Sequence, residues 1–268
     1  MRGAGNRILV IDARAEAIEP PPPDTLRRLA DETTGPGFDQ LMWLTDAVRP
    51  GSAASYRVFN RDGSEVEQCG NGLRCVASLL AGEAAAGRLE LDSPAGPVDA
   101  ELRPDGQVTV NMGTPRFEPA EIPFAADLYQ DAYELDVDGR VLSVAVVSMG
   151  NPHCVVDVDD VASAPVAELG PQIEHHDRFP ERVNVGFRRI NNRHDIDLRV
   201  FERGTGETLA CGTGACAAVV TGQAAGRLDE TVTVNLPGGQ LMVSWRGPGE
   251  PVWLTGNAEV IDEGTLDL

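Results

Sequence analysis

Two cysteines stand in glycine-rich segments, each followed by a largely apolar stretch. The first segment is EQCGNG around Cys69, and the second is LACGTG around Cys211. A thiol at the N-terminus of a helix lies near backbone N–H groups and the positive end of the helix dipole, which lowers its pKa below about 8.5. Glycines beside it let the backbone approach a ligand and direct N–H groups at an anion. These residues predict two reactive thiols, and Gly70 and Asn71 with Gly212 and Thr213 could hold one carboxylate between the two helix ends.

The two cysteine segments belong to an internal repeat. Residues 57–72 (RVFNRDGSEVEQCGNG) align without gaps with residues 199–214 (RVFERGTGETLACGTG), 142 positions later, and 8 of the 16 positions are identical. Average composition gives about one chance identity in such a window. We therefore expect a duplicated unit with one cysteine loop in each half.

Two related halves could present the two thiols to opposite faces of one substrate carbon. Inverting a stereocentre requires one group to remove a proton and another to deliver a proton to the opposite face. All 22 basic residues are arginines, and the absence of lysine excludes a lysine Schiff base or a pyridoxal phosphate aldimine. The carbanion must then be stabilised by N–H groups and helix dipoles. The sequence predicts a cofactor-independent racemase or epimerase.

Strand patterns and two helices surround the cysteines. Alternating apolar residues predict strands around 108–112, 196–200, 232–234 and 241–245. The stretch ACAAVVTGQAAG after the second cysteine predicts a buried helix. A first helix is expected from the spacing of Leu73, Val76, Ala77, Leu80 and Ala84. Each half is thus expected to be strand-rich around one central helix, and the proline-rich segment TPRFEPAEIPF is the expected interdomain linker.

Four long segments closely resemble those of the diaminopimelate epimerase family: EQCGNG, SMGNPHC, FPERVNVGF and ERGTGETLACGTGA. The resemblance runs from Gly3 to the C-terminus. It implies an α/β fold of the α+β type with two pseudo-symmetric domains, each a strand-rich, barrel-like unit around a central buried helix, and an active site in the cleft between them. The domains are expected at 1–115 with 257–268, and at 116–256.

The same resemblance implies a reaction and a set of residues. A homodimer would convert L,L-diaminopimelate to the meso form, for lysine and peptidoglycan precursors, without metal or organic cofactor. Cys69 and Cys211 would be the acid–base pair, with His153 and Glu202 assisting the thiols. The implied substrate contacts are Asn6, Gln40, Asn60, Gly70, Asn71, Asn151, Asn184, Glu202, Arg203, Gly212 and Thr213. In physical terms Arg203 can bind a distal carboxylate through two N–H groups. Asparagine amides can both donate to carboxylates and accept from an ammonium.

One segment departs from the family pattern. The family begins with G-x-G-N-D-F, whereas residues 3–8 read GAGNRI, so that Arg7 and Ile8 replace an acidic and an aromatic residue. Asn6 is retained, and the packing around it is expected to differ.

Other functions remain as alternatives. A related two-cysteine racemase of proline, hydroxyproline or histidine would share the cysteine loops, and a zinc-binding or redox thiol module would use the same residue types. The spacings C-x5-C and C-x4-C do not match chelating loops, and a disulfide between Cys69 and Cys211 would inactivate the enzyme. Cys75, Cys154 and Cys216 are expected to be core residues.

Composition limits the partners and the compartment. The formal net charge is −20, which disfavours nucleic acids and anionic membranes as partners. The chain shows no signal peptide and no apolar stretch of membrane-spanning length, and five cysteines without a secretory signal indicate a reducing cytoplasm. The acidic, arginine-only composition fits either a GC-rich genome or a salty cytoplasm.

Overall fold

The fold consists mainly of β-strands, as the alternating patterns predict. The computed structural model describes residues 1–14, 18–66, 69–83 and 87–266, where the chain is mixed α/β and strand-rich. The chain divides into two units, Met1–Asn111 with Thr255–Leu268, and Met112–Leu254. Glu67, Gln68 and the helix position Ala84 lie outside the described residues.

The first unit contains two of the described helices, α1 (Pro23–Ala30) and α2 (Gly70–Glu83). Its strands are β1 (Arg2–Gly3), β2 (Asn6–Asp12), β3 (Gln40–Thr45), β4 (Ala54–Asn60), β5 (Glu65–Val66), β6 (Arg88–Ser93), β7 (Gly96–Leu102) and β8 (Val108–Asn111).

The second unit contains a 3-10 turn at Pro119–Glu121 within the proline-rich segment, and the helices α3 (Val166–Glu174) and α4 (Gly212–Ala224). Its strands are β9 (Tyr133–Val137), β10 (Arg140–Ser148), β11 (Pro152–Asp157), β12 (Asn184–Asn192), β13 (Asp195–Glu202), β14 (Gly206–Thr208), β15 (Thr231–Leu236) and β16 (Gly239–Trp245). A last strand, β17 (Val252–Gly256), contains the boundary between the units.

The internal repeat is visible in the strand pairing of each unit. In the first, β2 pairs parallel with β3, β3 antiparallel with β4, β4 antiparallel with β5 and parallel with β6, and β6 antiparallel with β7. In the second, β11 to β16 repeat these five pairings in the same order. The duplication inferred from 16 residues therefore extends to the surrounding strands.

A matching ion pair fixes the hairpin before each cysteine. Arg57 forms two hydrogen bonds of 2.7 Å with Glu65, and Arg199 forms two with Glu207, of 2.6 and 2.9 Å. Each pair lies 142 positions from its counterpart and joins neighbouring strands, with the two-N–H geometry typical of arginine and carboxylate. The hairpins that precede Cys69 and Cys211 thus share the same ion pair.

Two helices begin directly after the cysteines, as predicted, at Gly70 and Gly212. The positions Leu73, Val76, Ala77 and Leu80 are buried. In α4 every residue from Gly212 to Gly222 is buried, which confirms the prediction of a helix that is apolar on all sides. Among the helices that the structure describes, none has both the length and the apolar character needed to cross a membrane.

The sequence patterns do not predict α1 and α3. The first helix follows a run of prolines, and its first residue is Pro23, a position where the missing N–H costs nothing. The second contains Gly170 and Pro171, residues that lower helix propensity. Gly170 permits close packing, because a Cβ there would lie 2.5 Å from Phe201 Cγ of β13.

Candidate active site

The Cys69 thiol is held at the start of α2 by one backbone and one side-chain contact. The Gly72 N–H donates to Cys69 Sγ at 3.1 Å, and the thiol donates to Gln40 Oε1. Only 9% of Cys69 is exposed. Gly72 has no room for a side chain, since a Cβ would lie 2.4 Å from Met42 Sδ and 3.3 Å from the sulfur.

Neutral amides surround this thiol on the neighbouring strands. Gln40 and Asn60 are directly opposite on β3 and β4, and Gln40 Nε2 donates to Asn60 Oδ1 at 3.0 Å. Asn60 Nδ2 in turn donates to Ser64 Oγ at 3.2 Å. The chain of amides orients the Gln40 oxygen toward Cys69.

Asn6, Gly70 and Asn71 lie in the same unit. Asn71 is buried, and its Oδ1 accepts a hydrogen bond of 2.7 Å from Arg74. Gly3 pairs with Asn6 across the β1–β2 turn, and a Cβ at Gly3 would lie 3.0 Å from the Asn71 carbonyl oxygen. The N-terminal turn therefore packs closely against the first turn of α2.

The substituted residues Arg7 and Ile8 are accommodated in different ways. Ile8 is 2% exposed and fills the position of the family's aromatic residue within the core. The Arg7 side chain is exposed, pairs with Glu32, and donates to the Pro36 carbonyl oxygen at 3.1 Å. Its backbone N–H donates to Asp39 at 2.8 Å.

The Cys211 thiol lies beside a carboxylate. It is 5% exposed at the N-cap of α4. The Glu202 carboxylate and the Gly214 backbone N–H both act on its pKa, the first raising it and the second lowering it. Thr213 Oγ1 is 3.5 Å from the sulfur. Burial, followed by the negative charge of Glu202, raises the pKa of Cys211 well above its ordinary value.

This result corrects the sequence-based expectation for Cys211. Thr213 and Gly214 lower its pKa, but burial and Glu202 outweigh them. Cys211 is therefore held in its thiol form, which is a proton donor.

Glu202 is at the end of β13, where the neighbouring hairpin strand fixes it. Thr208 Oγ1 of β14 donates to Glu202 Oε1. Burial raises the pKa of Glu202, while the hydrogen bonds from Thr208 and Cys211 act in the opposite direction. Sequence reasoning did not identify Thr208, although its place in the short strand before Cys211 was the available signal.

A line of hydrogen bonds connects His153 to the Cys211 thiol. His153 Nε2 is 3.0 Å from Asn151 Oδ1, and Asn151 Nδ2 donates to Thr213 Oγ1 at 3.4 Å. Burial, aided by the positive charge of Arg203, lowers the pKa of His153 to about 3. The imidazole is therefore neutral, and the orientation of Asn151 assigns its hydrogen to Nε2.

Asn184 and Arg203 are also joined. The backbone N–H of Arg203 donates to Asn184 Oδ1 at 3.0 Å, and Asn184 Nδ2 donates to the Pro152 carbonyl oxygen at 2.9 Å. The exposed Arg203 guanidinium donates to the Glu181 carbonyl oxygen at 3.0 Å. The second unit thus gathers the predicted residues Asn151, His153, Asn184, Glu202, Arg203, Cys211, Gly212 and Thr213.

The remaining cysteines belong to the core. Cys75, Cys154 and Cys216 are 0% exposed, which confirms the prediction for all three. Burial raises the pKa of Cys75 to about 11 and raises that of Cys154 as well. Within the described ranges, no three His, Cys, Asp or Glu side chains are grouped so that they could hold a metal ion.

Comparisons with known proteins identify relatives over the whole chain. The family model for diaminopimelate epimerase matches residues 1–118 and 145–261. The diaminopimelate epimerase of Alkalilimnicola ehrlichii is 52% identical over 272 residues, covering 100% of this chain and 97% of that protein. The corresponding protein of Pseudomonas entomophila is 50% identical over 270 residues, with 100% and 98% covered.

Solved structures share the fold at low identity. A probable proline racemase from Agrobacterium radiobacter superposes with a TM-score of 0.66 at 19% identity, covering 90% of this chain and 81% of that one. This likeness concerns the fold alone.

Proposed function

The chain belongs to the diaminopimelate epimerase family, and we propose that Cys69 and Cys211 are the acid–base pair of its reaction. The protein is an isomerase of lysine biosynthesis that epimerises L,L-diaminopimelate to the meso form. Half of all residues are identical to those of proteins with this activity over their full lengths. This decides between diaminopimelate and the substrates of other two-cysteine racemases.

The observation that carries the two-base mechanism is the matching position of the two thiols. The two lie 142 residues apart, and each directly precedes a buried helix. The backbone N–H of the third residue after each acts on its sulfur: Gly72 N–H donates to Cys69, and Gly214 N–H lowers the pKa of Cys211. A single epimerisation needs one base and one acid. Two equivalent thiols supply this pair when the two units enclose the substrate.

The surroundings of the thiols support different protonation states. Cys211 has the Glu202 carboxylate as its partner, whereas the equivalent position in the first unit is Asn60, which presents a neutral amide to Gln40. A neighbouring negative charge disfavours a thiolate. In the proposed mechanism Cys69 is the thiolate that removes the α-proton of L,L-diaminopimelate.

Cys211 then completes the reaction from the opposite face. Its S–H proton passes to the α-carbon as the C–H bond to that face forms, which leaves Cys69 as a thiol and Cys211 as a thiolate. The reverse reaction uses the same two groups in exchanged roles. After product release, loss of the Cys69 proton to water and uptake of one proton from water by Cys211 would restore the starting state.

Helix N-termini stabilise the developing negative charge. A carbanion next to a carboxylate delocalises its charge onto the carboxylate oxygens, where N–H donors are most effective. Gly70 and Asn71 of α2, and Gly212 and Thr213 of α4, provide the backbone N–H groups in this proposal. Because the chain has no lysine, no lysine imine contributes to this stabilisation.

The distal head group of the substrate would be held by polar side chains from both units. Arg203 would grip its carboxylate, and Asn6, Gln40, Asn60, Asn151 and Asn184 would share its oxygens and ammonium. His153, neutral and hydrogen-bonded to Asn151, would contribute its remaining ring nitrogen as an acceptor. Amides can bind both a carboxylate and an ammonium, and a guanidinium binds a carboxylate, so this set favours a substrate with two amino-acid head groups.

The finer architecture is also part of the proposal. Two pseudo-symmetric, barrel-like domains would enclose the active site in the cleft between them, and the repeated strand pairing supports this symmetry. We further propose that the protein is a homodimer. We also propose that it is cytoplasmic, since the mechanism requires both thiols in their reduced form. Light scattering coupled to size-exclusion chromatography tests the dimer.

The test of the substrate assignment is direct. The protein is incubated with L,L-diaminopimelate, and separately with L-proline and L-histidine, in the presence of reductant, and products are separated by chiral chromatography. Meso-diaminopimelate is expected to form, with at least a hundredfold slower inversion of the other two. Equal rates with proline or histidine would contradict the assignment.

A further inference from the structure

A buried carboxylate outside the predicted site contacts the loop that carries Arg203. Glu174, the last residue of α3, is 4% exposed. Its Oε1 accepts a hydrogen bond of 2.7 Å from the backbone N–H of Gly204. The guanidinium of Arg182 lies 3.7 Å from the same oxygen.

The helix itself gains nothing from this carboxylate. The C-terminus of a helix carries the negative end of its dipole, so an acidic residue there is unfavourable. Burying a charge adds a desolvation cost that hydrogen bonds and an opposite charge must offset. Gly204 and Arg182 bind one carboxylate oxygen, and His175 Nδ1 is 3.7 Å from the other. Through Gly204 and Arg182 the carboxylate joins α3 to the two segments that these residues belong to.

The segment around Arg182 and the turn at Gly204 both fix the position of Arg203. The Arg203 backbone N–H donates to Asn184 Oδ1, and its guanidinium donates to the Glu181 carbonyl oxygen. Gly204 follows directly with φ +74°, a left-handed conformation suited to glycine. Its N–H is oriented toward α3, and Glu174 is the acceptor that fixes it.

The packing of α3 brings the carboxylate to this place. A Cβ at Gly170 would lie 2.5 Å from Phe201 Cγ, so the helix backbone directly contacts the side chain two residues before Arg203. One turn later Glu174 reaches Gly204. The helix and the loop are thus joined at both ends of the segment 201–204.

We infer that Glu174 is a positioning residue for substrate binding: it holds the turn at Gly204 so that the Arg203 guanidinium keeps its place for the distal carboxylate of the substrate. The inference rests on the assignment of Arg203 to that carboxylate in the proposed function. Glu174 itself does not touch the substrate in this account.

Steady-state kinetics of Glu174→Ala and Glu174→Gln test the inference. Loss of a buried acceptor leaves the Gly204 N–H without its partner, and KM for diaminopimelate is expected to rise about tenfold in the alanine variant, with kcat changed by less than about threefold. The glutamine variant keeps an oxygen for Gly204, so its KM should stay within about threefold of the wild type. Glu168→Ala is the matched control, because Glu168 is an exposed acid of the same helix, and it should leave both constants unchanged.

A second measurement reports on the loop at Gly204 independently of catalytic activity. Hydrogen–deuterium exchange of the folded enzyme, followed by mass spectrometry, should show faster exchange in peptides covering Gly204 for Glu174→Ala, and unchanged exchange across β15 and β16. Wild-type exchange at Gly204 together with an unchanged KM would overturn the inference.

The variant Arg203→Gln distinguishes a failure of the positioning role of Glu174 from a failure of the assignment of Arg203 to the substrate carboxylate. If this variant raises KM and Glu174→Ala does not, the positioning role is wrong and the assignment of Arg203 stands. If Arg203→Gln leaves KM unchanged, the assignment of Arg203 is wrong, and the positioning role falls with it.

Discussion

The carboxylate of Glu202 lies beside the Cys211 thiol and raises its pKa, and this charge breaks the symmetry of the two repeated halves. The equivalent residue of the first unit is Asn60, whose amide accepts from Gln40. The two equivalent positions of the repeat thus differ by one charge. In the proposed mechanism this difference makes Cys211 the acid and Cys69 the base.

Replacing Glu202 by glutamine should make Cys211 more acidic. The negative charge that disfavours the thiolate is lost, and a fall of about one unit in the pKa of Cys211 would raise its thiolate fraction about tenfold. Alkylation by iodoacetamide at pH 8, measured on the Cys211 peptide by mass spectrometry, should accelerate accordingly. Glu168→Gln, which neutralises an exposed acid of α3, is the control and should leave the rate unchanged.

The wild-type protein offers a further comparison of the two thiols. At the same pH the peptide containing Cys69 should be alkylated before the peptide containing Cys211. Faster alkylation of Cys211 in the wild type would contradict the assignment of roles.

His153 should make the protein less stable in acid. The pKa of the folded-state imidazole is about 3, below its ordinary value of 6.5, so the unfolded chain binds a proton between these values and the folded protein does not. The neutral imidazole therefore contributes stability above pH 6.5 that is lost as the pH falls toward 3. Between pH 7 and pH 4.5 this loss is about 3 kcal/mol.

Urea denaturation of the wild type and of His153→Asn at these two pH values isolates the contribution, because the other titrating groups are common to both. The free energy of unfolding of the variant should fall less on acidification. Equal falls in both proteins would show that His153 is not buried in its neutral form.

Gly72→Ala should damage both stability and activity. The added Cβ would meet Met42 Sδ and the Cys69 sulfur, and Met42 is fully buried. Overpacking of this kind costs about 1–3 kcal/mol, and displacement of the thiol should lower kcat. Thermal denaturation and turnover are measured beside Gly264→Ala, where a Cβ has open space; equal melting temperatures and rates would contradict the close packing around Cys69.

Lysine should be a poor substrate although it shares one head group with diaminopimelate. It lacks the distal carboxylate, so the guanidinium of Arg203 would lose the charged partner that diaminopimelate supplies. Exchange of its α-proton in deuterated water, followed by NMR, should be slower by at least a hundredfold. Exchange at a rate comparable with diaminopimelate would show that the distal head group is not recognised.

Local patterns predict the parts of this fold that repeat along the sequence. The alternation of Ile196, Leu198 and Val200 predicts β13, and the apolar stretch after Cys211 predicts the buried helix α4. The short helices α1 and α3 are not predicted, because prolines and a glycine dominate their local signal while packing against the core stabilises them.

Local sequence patterns do not predict properties of the site that depend on contacts between residues far apart in the chain. The sign of the Cys211 pKa shift depends on its burial and on Glu202, which the hairpin brings beside it. Likewise Glu174 lies 30 residues before Gly204 in the chain, and only the packing of α3 brings the two together. Composition is informative in a different way, since the absence of lysine excludes imine chemistry at any position.

Epimerisation in deuterated water by Cys69→Ala and Cys211→Ala tests the two-thiol mechanism most directly. With the wild type, reductant and L,L-diaminopimelate, one deuterium should appear at the inverted α-carbon as the meso isomer forms. Each single variant should lose at least about a hundredfold in the rate of inversion, while retaining the wild-type melting temperature. Near-normal formation of deuterated meso-diaminopimelate by either variant would contradict the mechanism.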